Sequence, residues 1–289
     1  MNWLKRMNNA IDYIEDNITH DIDYINVAKT AGCSAYYFQR MFSFVLDIPL
    51  SEYIRRRRLT LAAFELQNTS NRIIDIALKY GYESPDSFRR AFYNMHEVTP
   101  SMARKKGVQL KAYPRLSFQI SIKGDVAMNY RIEERKEYKV FGKSITVGVN
   151  EDSYETIPKF WQDILQDGTY EKICRLAGMK PYGDRHMNAA IYDLSNNGSY
   201  KNKYIIYTAL PGNIEIPDNL DVITIPKAKW IIFSEIYGTV EETTEIIQNL
   251  WKRIFTEWMS TTQCEIIAGP QLEVYRDDKN IVEIWIPIC

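Results

Sequence analysis

The sequence predicts a multidomain protein: an all-α amino-terminal domain with two helix-turn-helix units in tandem, then an α+β domain of duplicated strand-helix-strand-strand units. Three observations carry this. A signature occurs twice in the first hundred residues, as Val27-Ala28, Gly32, Ser34, Phe38, Arg40 and Phe42, and again as Ile76-Ala77, Gly81, Ser84, Phe88, Arg90 and Phe92. Between the copies, the stretch 49–67 opens with Pro49 and contains neither Gly nor an internal Pro, as one continuous helix requires. After Arg104-Lys105-Lys106-Gly107 the helical spacing gives way to alternation, with Pro114 at the join. The expected domains are therefore 1–107 and 126–289, with a linker over 108–125.

Composition bounds the function. The 289 residues are 45% hydrophobic and 25% charged, which describes an ordinary folded protein. The formal net charge of −1 is unevenly spread: residues 1–107 carry 15 Lys and Arg against 12 Asp and Glu, and the remainder 21 against 25. A mildly basic front half suits phosphate contact. Four scattered cysteines and three histidines make no zinc-ligand spacing, so no metal or cofactor is expected, and the thiols read as reduced, in a cytoplasm. No apolar run approaches the ~20 residues of a membrane span, and the amino terminus begins an amphipathic helix rather than a signal.

The first helix, 2–18, carries Leu4, Met7, Ile11, Ile14 and Ile18 at helical spacing. Asp21 or Asp23 caps the next helix, which ends at Gly32, and Ser34 caps the third. On that helix Phe38, Met41, Phe42 and Val45 form the packed stripe, leaving Tyr36, Gln39, Arg40 and Ser43 outward. Gln and Arg near a helix amino terminus are the side chains that make bidentate contacts to adenine and guanine edges. In the second unit Ile73 or Ile74, Ile76, Ala77 and Tyr80 pack, Gly81 turns, and Ser84-Pro85 starts a helix. Phe88, Phe92 and Met95 then face inward, with Asp86, Ser87, Arg89, Arg90 and Tyr93 outward. Asp86 is discordant beside phosphates: either it accepts from a cytosine amine or this helix binds less tightly than the first. The run Arg55-Arg56-Arg57-Arg58 covers more than one helix face, so one or two of the four, Arg55 among them, are expected on phosphates and the others on acids such as Glu52 or Glu65. The central helix, at 1.5 Å per residue, spans about 29 Å, near the ~34 Å between successive major-groove openings on one face of DNA. One chain thus suffices to read both grooves, and a monomer is expected.

These residues resemble the AraC/XylS family of bacterial transcription regulators: Tyr53, Arg55, Arg58-Leu59 and Ala62, then Ile76-Ala77, Gly81-Tyr82, Ser84, Phe88, Arg90, Phe92 and Thr99-Pro100. The chain departs from the family with Asp47 and Glu97 where Gly usually precedes the two proline-containing turns, and with Ala103 where an aromatic is common. The resemblance implies a partner, double-stranded DNA, and a contact set of Ser34, Tyr36, Gln39, Arg40, Arg55, Ser84, Asp86, Ser87, Arg89 and Arg90.

In the back half, strands 138–149, 189–194 and 204–210 are echoed by 229–237, 271–276 and 281–286, each set interrupted by a helix, 155–167 and 241–258. Asn196-Asn197-Gly198 and the stretch 277–280 are the hairpin turns. The duplication suggests two sheets or halves meeting along a central groove, where small ligands sit. The ending Val282-Glu283-Ile284-Trp285-Ile286-Pro287-Ile288 is similar to the GyrI-like effector-binding domain. That resemblance implies a multidrug-response role in which a carboxylate in an aromatic cavity, Glu273 or Glu283, receives cationic lipophilic molecules. The residue chemistry agrees: a buried glutamate among Trp161, Trp230, Tyr237, Tyr275 and Trp285 would attract a cationic or aromatic effector unless a counter-charge were present. By two-residue periodicity Glu273 and Tyr275 share one face, and Glu283 and Trp285 share one; whether the faces coincide depends on hairpin register.

The expected function is a DNA-binding transcription regulator that senses a small molecule, with ligand either shifting the domains or altering contacts with RNA polymerase. No catalytic constellation is present, so no enzyme is expected. The alternative is that the back domain hydrolyses or sequesters a toxic small molecule, Glu and Tyr orienting a water. Alkyl-transfer repair fails for want of clustered cysteines.

Overall fold

Short-range signals set the helical part of the computed structural model, which describes residues 3–119, 127–148, 153–180, 187–193, 201–212, 214–239, 241–259, 262, 264, 266–276 and 279–289. The chain divides into two units, Met1–Ile120 and Ser121–Cys289. In the first, α1 (Trp3–Asp16), α2 (Tyr24–Ala31) and α3 (Ala35–Leu46) are followed by α4 (Leu50–Asn68), α5 (Ile73–Lys79), α6 (Pro85–His96) and the single turn α7 (Pro100–Ala103). Asp23 accepts from the Ile25 amide, Ser34 from Tyr37 and Ser84 from Ser87, so α2, α3 and α6 are each capped by their own side chain, while α5 begins at Arg72 without a side-chain cap. The turns pass through Gly32 at φ +70° and Gly81 at φ +81°, the left-handed region that favours glycine. Asp47 and Glu97 end α3 and α6 in the same left-handed conformation without being glycine.

Helix α4, within the first unit, is shared by its two helix-turn-helix halves. Leu50, Tyr53, Ile54 and Arg57 are buried in its first half, and Leu59, Ala62, Ala63 and Leu66 in its second, where they join Ile76, Ala77, Tyr80, Phe88, Phe92 and Met95 in one core. Ile73 packs at the border of that core and Ile74 stays exposed. The stretch beyond Gly107 continues on this unit: Leu110 and Tyr113 pack on the same core, Leu116 donates its amide to the Tyr53 hydroxyl (3.2 Å), and Phe118 exchanges hydrogen bonds with Asn8.

The second unit contains β1 (Asn129–Arg135), β2 (Tyr138–Gly148), α8 (Ser153–Gln166), α9 (Thr169–Leu176), β3 (Asn188–Asp193), β4 (Lys201–Ala209), β5 (Asp221–Ile225), β6 (Ala228–Ile236), α10 (Thr243–Arg253), β7 (Gln271–Arg276) and β8 (Ile281–Ile288). A π-helical turn, Ile254–Trp258, prolongs α10. The duplicated unit is β2-helix-β3-β4 and β6-helix-β7-β8. Instead of two sheets meeting at a groove, β3 pairs antiparallel with β7 and fuses the halves into one eight-stranded sheet of order β1-β6-β8-β7-β3-β4-β2-β5. Strands β1 and β5 and helix α9 were not expected from sequence. Asn196-Asn197-Gly198, Asp277 and Asp278 lie outside the described residues.

The order forces a curl. β1 pairs with β6 and β5 with β2, yet only Lys136-Glu137 separates β1 from β2, and Pro226-Lys227 separates β5 from β6. Each linked pair stands six places apart in the order. A flat sheet would separate them by about 29 Å at ~4.8 Å per strand. Two linking residues reach at most about 11 Å. The sheet therefore bends until its edges approach, and Gly142 sits where a Cβ would collide with the Ile206 carbonyl. The concave face is filled by its own side chains, with Val140, Ile205, Tyr207, Ile225, Trp230, Ile232, Leu272 and Trp285 in one buried cluster. Helices α8 and α10 cover the other face, where the Trp161 indole donates to the Tyr204 hydroxyl (2.9 Å) and the Trp251 indole to Glu273 (2.7 Å).

Candidate nucleic-acid interface and effector site

Helix α6 presents what a groove-reading helix needs. Ser84 caps it and Pro85 occupies its first position, leaving amides of the first turn without intrahelical partners. Phe88 and Phe92 are fully buried, which turns the opposite face outward. Asp86, Arg89, Arg90 and Tyr93 are exposed, and Ser87 is half-buried, its hydroxyl donating to the Ser84 carbonyl (2.8 Å). Asp86 and Arg89 are 3.9 Å apart with side chains 83% and 64% exposed, a contact that solvent screens almost completely.

Helix α3 differs from expectation. Phe38, Met41 and Phe42 are buried as the stripe demanded, but Tyr36, Arg40 and Ser43 on the opposite face are buried too, at 8%, 8% and 6% exposure. The Arg40 guanidinium lies 5.4 Å from the Phe44 ring centre, one turn along, in a cation–π arrangement. Apolar periodicity marks the face that meets a helix's own core and says nothing of cover on the other. Gln39 is half-buried, with its amide donating to the Ala35 carbonyl (3.3 Å), and Ser34 is half-buried at the cap.

The arginine run does more structural work than expected. Arg55 grips Glu52 with two donors at 2.7 and 2.8 Å, and Arg56 bonds the same carboxylate while its guanidinium lies 4.7 Å from the Tyr113 ring centre. Arg57 and Glu15 form a buried two-pronged pair, both bonds 2.8 Å, with Tyr53 donating to the same carboxylate (2.7 Å). Burial alone would raise the Glu15 pKa; the hydrogen bonds from Arg57 and Tyr53 override it and hold the carboxyl below its ordinary value. Arg58 donates to the carbonyls of Ile18 and His20. Glu65, expected on this run, instead holds Lys79 at 2.7 Å.

In the sheet unit the register separates the two candidate glutamates. Val274 pairs with Glu283 and Leu272 with Trp285, so Glu283 and Trp285 share the concave face with Trp230. Glu273 and Tyr275 point to the helix-covered face, with Tyr237 and Trp161. The expected seven-residue pocket is thus two sets on opposite sides of one sheet. On the concave side Glu283, 3% exposed, accepts from Arg131 Nη1 (2.9 Å) and the Trp285 indole (2.8 Å), and Arg276 Nε lies 3.1 Å away. Burial pushes its pKa up, but Arg131, Trp285 and Arg276 together prevail and keep it below the usual carboxylate range. Arg135 lies 5.4 Å from the Trp285 ring centre, and Trp230 meets Trp285 edge to face at 6.0 Å. Sequence reasoning missed Arg131, Arg135, Arg276, Tyr138, Tyr192 and Tyr207 on this face. The alternation Arg131-Glu133-Arg135 was the available signal, once 129–135 is read as a strand.

Among the described residues there is no cluster of metal-ligating side chains, and no helix is long and apolar enough to cross a membrane. Burial pushes the Cys33 thiol up to about 12.

Residues 131–288 match the integron-associated effector binding protein family, Cass2, and residues 27–106 match the helix-turn-helix domain family HTH_18. The regulatory protein SoxS of Salmonella typhimurium is 44% identical over 96 residues, covering 33% of this chain and 90% of SoxS. The HTH-type transcriptional activator AarP of Providencia stuartii is 41% identical over 92 residues, covering 32% and 68%. An integron cassette protein structure from Vibrio cholerae covers 55% of this chain and 95% of its own, at 14% identity and a TM-score of 0.39. The chain belongs to the integron-associated effector binding protein family through its second unit, carried behind an AraC-type helix-turn-helix domain, and is a DNA-binding transcription regulator with a carboxyl-terminal effector-binding domain.

Proposed function

We propose that α6 is the principal reader of DNA, with α3 as a second and weaker one. The observation that carries this is the exposed face of α6: Arg89 and Arg90 project from a capped helix start whose other side is locked by Phe88 and Phe92. Asp86 and Ser87 complete the edge-reading set, with Ser84 at the phosphate-facing start. From α3, Ser34 and Gln39 remain accessible enough for contact, whereas Tyr36 and Arg40 support the helix from a buried position. Arg55, 41% exposed in its side chain, is available to phosphate at the cost of its bond to Glu52. One chain carries both readers on the rod of α4, so a monomer is sufficient.

Selection of bound sequences from a random duplex pool by the full chain tests this. Two short blocks should be enriched with centres roughly 10 bp apart, and Arg90→Ala should abolish enrichment of the more constrained block. Enrichment of no sequence, or of one unaffected by that change, would refute the reading.

The reading we favour for effector binding uses the concave face of the sheet around Trp230, Glu283 and Trp285, supported by the register that sets these three on one side. The unit binds without turnover: Glu283 is engaged by Arg131, Trp285 and Arg276 and held ionised, so it is poorly placed to take a proton from water.

A further inference from the structure

Beyond Gly107 the chain adds a strap to the helical unit that lies outside both family matches, the first of which ends at 106 while the second begins at 131. Residues 108–119 form no helix or strand, yet they are anchored along their length. The Gln67 side-chain amide donates to the Val108 carbonyl (3.2 Å), the Tyr113 amide to the Thr60 hydroxyl (3.0 Å) and the Leu116 amide to the Tyr53 hydroxyl (3.2 Å). Arg57, already forked onto Glu15, also donates to the Tyr113 carbonyl (2.6 Å). From α1, Asn8 exchanges two hydrogen bonds of 2.9 Å with Phe118, Asp12 pairs with Arg115, and Trp3 meets the Phe118 ring edge to face at 6.1 Å.

The order of these partners gives the path. On α4 they step from Gln67 through Thr60 and Arg57 to Tyr53 while the strap advances from 108 to 116, so it runs along one face of the helix in the opposite direction. From 53 to 67 the helix rises about 21 Å. The strap from 108 to 116 reaches at most about 29 Å, so it carries little slack. Its first part is bound to the second helix-turn-helix half, where Leu110 and Tyr113 pack on the core and Lys111 pairs with Glu97 at the end of α6. Its last part is bound to α1 in the first half. A helix curves gently along its length, and two bodies joined by α4 alone would change angle as it bends. A second tie along one side resists that bending. Of 108–119 only Phe118 is buried, so the hold depends on the individual bonds rather than on a core.

We infer that residues 108–118 clamp the two reader helices at a fixed separation, which makes this segment a determinant of the operator spacing that the chain accepts. This rests on the reading of α3 and α6 as two DNA readers. Adding one base pair between their blocks shifts the second block by about 3.4 Å and turns it by about 35°. A clamped chain cannot follow both changes, whereas a loosened one can.

The test measures, by fluorescence anisotropy, binding of the full chain to its selected duplex and to the same duplex with one base pair added or removed between the blocks. The parent should bind the altered duplexes at least about tenfold more weakly. Asn8→Ala releases Phe118 while placing a strong helix former in α1. It should bind the selected duplex within about threefold of the parent and lose only about two- to threefold more on the altered ones. Phe118→Ala, made from the strap side, should behave alike, and circular dichroism melts establish that each variant is folded. Folded variants that keep the parent's spacing penalty overturn the clamp. A parent indifferent to spacing also overturns it but leaves the two readers in place, and selection of a single block overturns the clamp and the two-reader reading together.

Discussion

The guanidinium of Arg58 lies against Gly81: its Nη1 is 2.7 Å from the point that a Cβ on Gly81 would occupy. The same side chain donates from Nε to the Ile18 carbonyl (2.9 Å) and from Nη2 to His20 (2.7 Å). Arg58 thus joins the end of α1 in the first helix-turn-helix unit to the turn of the second. The first unit repeats the motif, with Arg6 Nη1 3.0 Å from the corresponding point on Gly32.

Gly81→Ala meets two obstacles, a φ of +81° and the guanidinium. It should destabilise the helical unit by about 1–2 kcal/mol and loosen the angle between the readers. Urea unfolding followed by circular dichroism measures the first effect, and an unshifted midpoint would show that Arg58 swings aside without consequence.

Glu15→Gln removes the charge opposite Arg57, whose side chain is 10% exposed, and leaves a buried guanidinium without its counter-ion. Losing one partner of a buried pair costs about 3 kcal/mol. Chemical denaturation of Glu15→Gln should show most of that loss, and the double change Glu15→Leu with Arg57→Met should recover part of it. A single variant as stable as the parent would mean that water reaches the pair.

Arg89→Ala and Arg90→Ala should each weaken binding to a selected operator by about 1–3 kcal/mol where the contact is to a base edge. Where the contact is to phosphate, the loss should be equal on random DNA and the salt slope should fall by about 1. Fluorescence anisotropy at several salt concentrations separates the cases. Arg40→Ala should act mainly through stability, because its guanidinium is buried beside Phe44; a pure loss of sequence discrimination with normal stability would contradict that.

His96 is 4% exposed, its Nε2 is 3.3 Å from the Leu59 carbonyl, and its ring lies 4.2 Å from that of Phe92, tilted by 41°. Burial lowers its pKa, with the Leu59 bond opposing and Lys111 adding to the shift. The folded state therefore binds this proton less readily than the unfolded chain, whose histidine titrates near its ordinary 6.5. The stability it contributes is complete above about pH 6.5 and is lost as the pH falls through the depressed folded value. The melting temperature should drop between pH 7.5 and pH 5, and less so in His96→Phe; equal drops would assign the effect to other groups.

The helix starts, the left-handed turns and the central rod were legible because each depends on neighbours within a few residues. Ser34 and Ser84 cap amides three residues on, Gly32 and Gly81 adopt a backbone conformation other residues avoid, and 50–68 lacks any breaker. The alternating strands of the duplicated halves were legible for the same reason. Strands β1 and β5 were not, since β1 exposes Tyr130 and Ile132, β5 spans only five residues, and the identity of both comes from pairing with β6 and β2.

What the sequence by itself determined is two tandem helix-turn-helix units followed by a duplicated sheet domain, because local conformational preference writes those directly into residue order. Which side chains meet was decided only in three dimensions. The β7–β8 register put Glu273 and Glu283 on opposite faces, the pairing of β1, β6, β8 and β7 set Arg131 and Arg276 beside Glu283, and the packing of α3 buried Arg40. A carboxylate's charge can be read at its position, but whether it is compensated depends on partners that strand pairing brings to the same face, Arg131 at 2.9 Å and Arg276 at 3.1 Å.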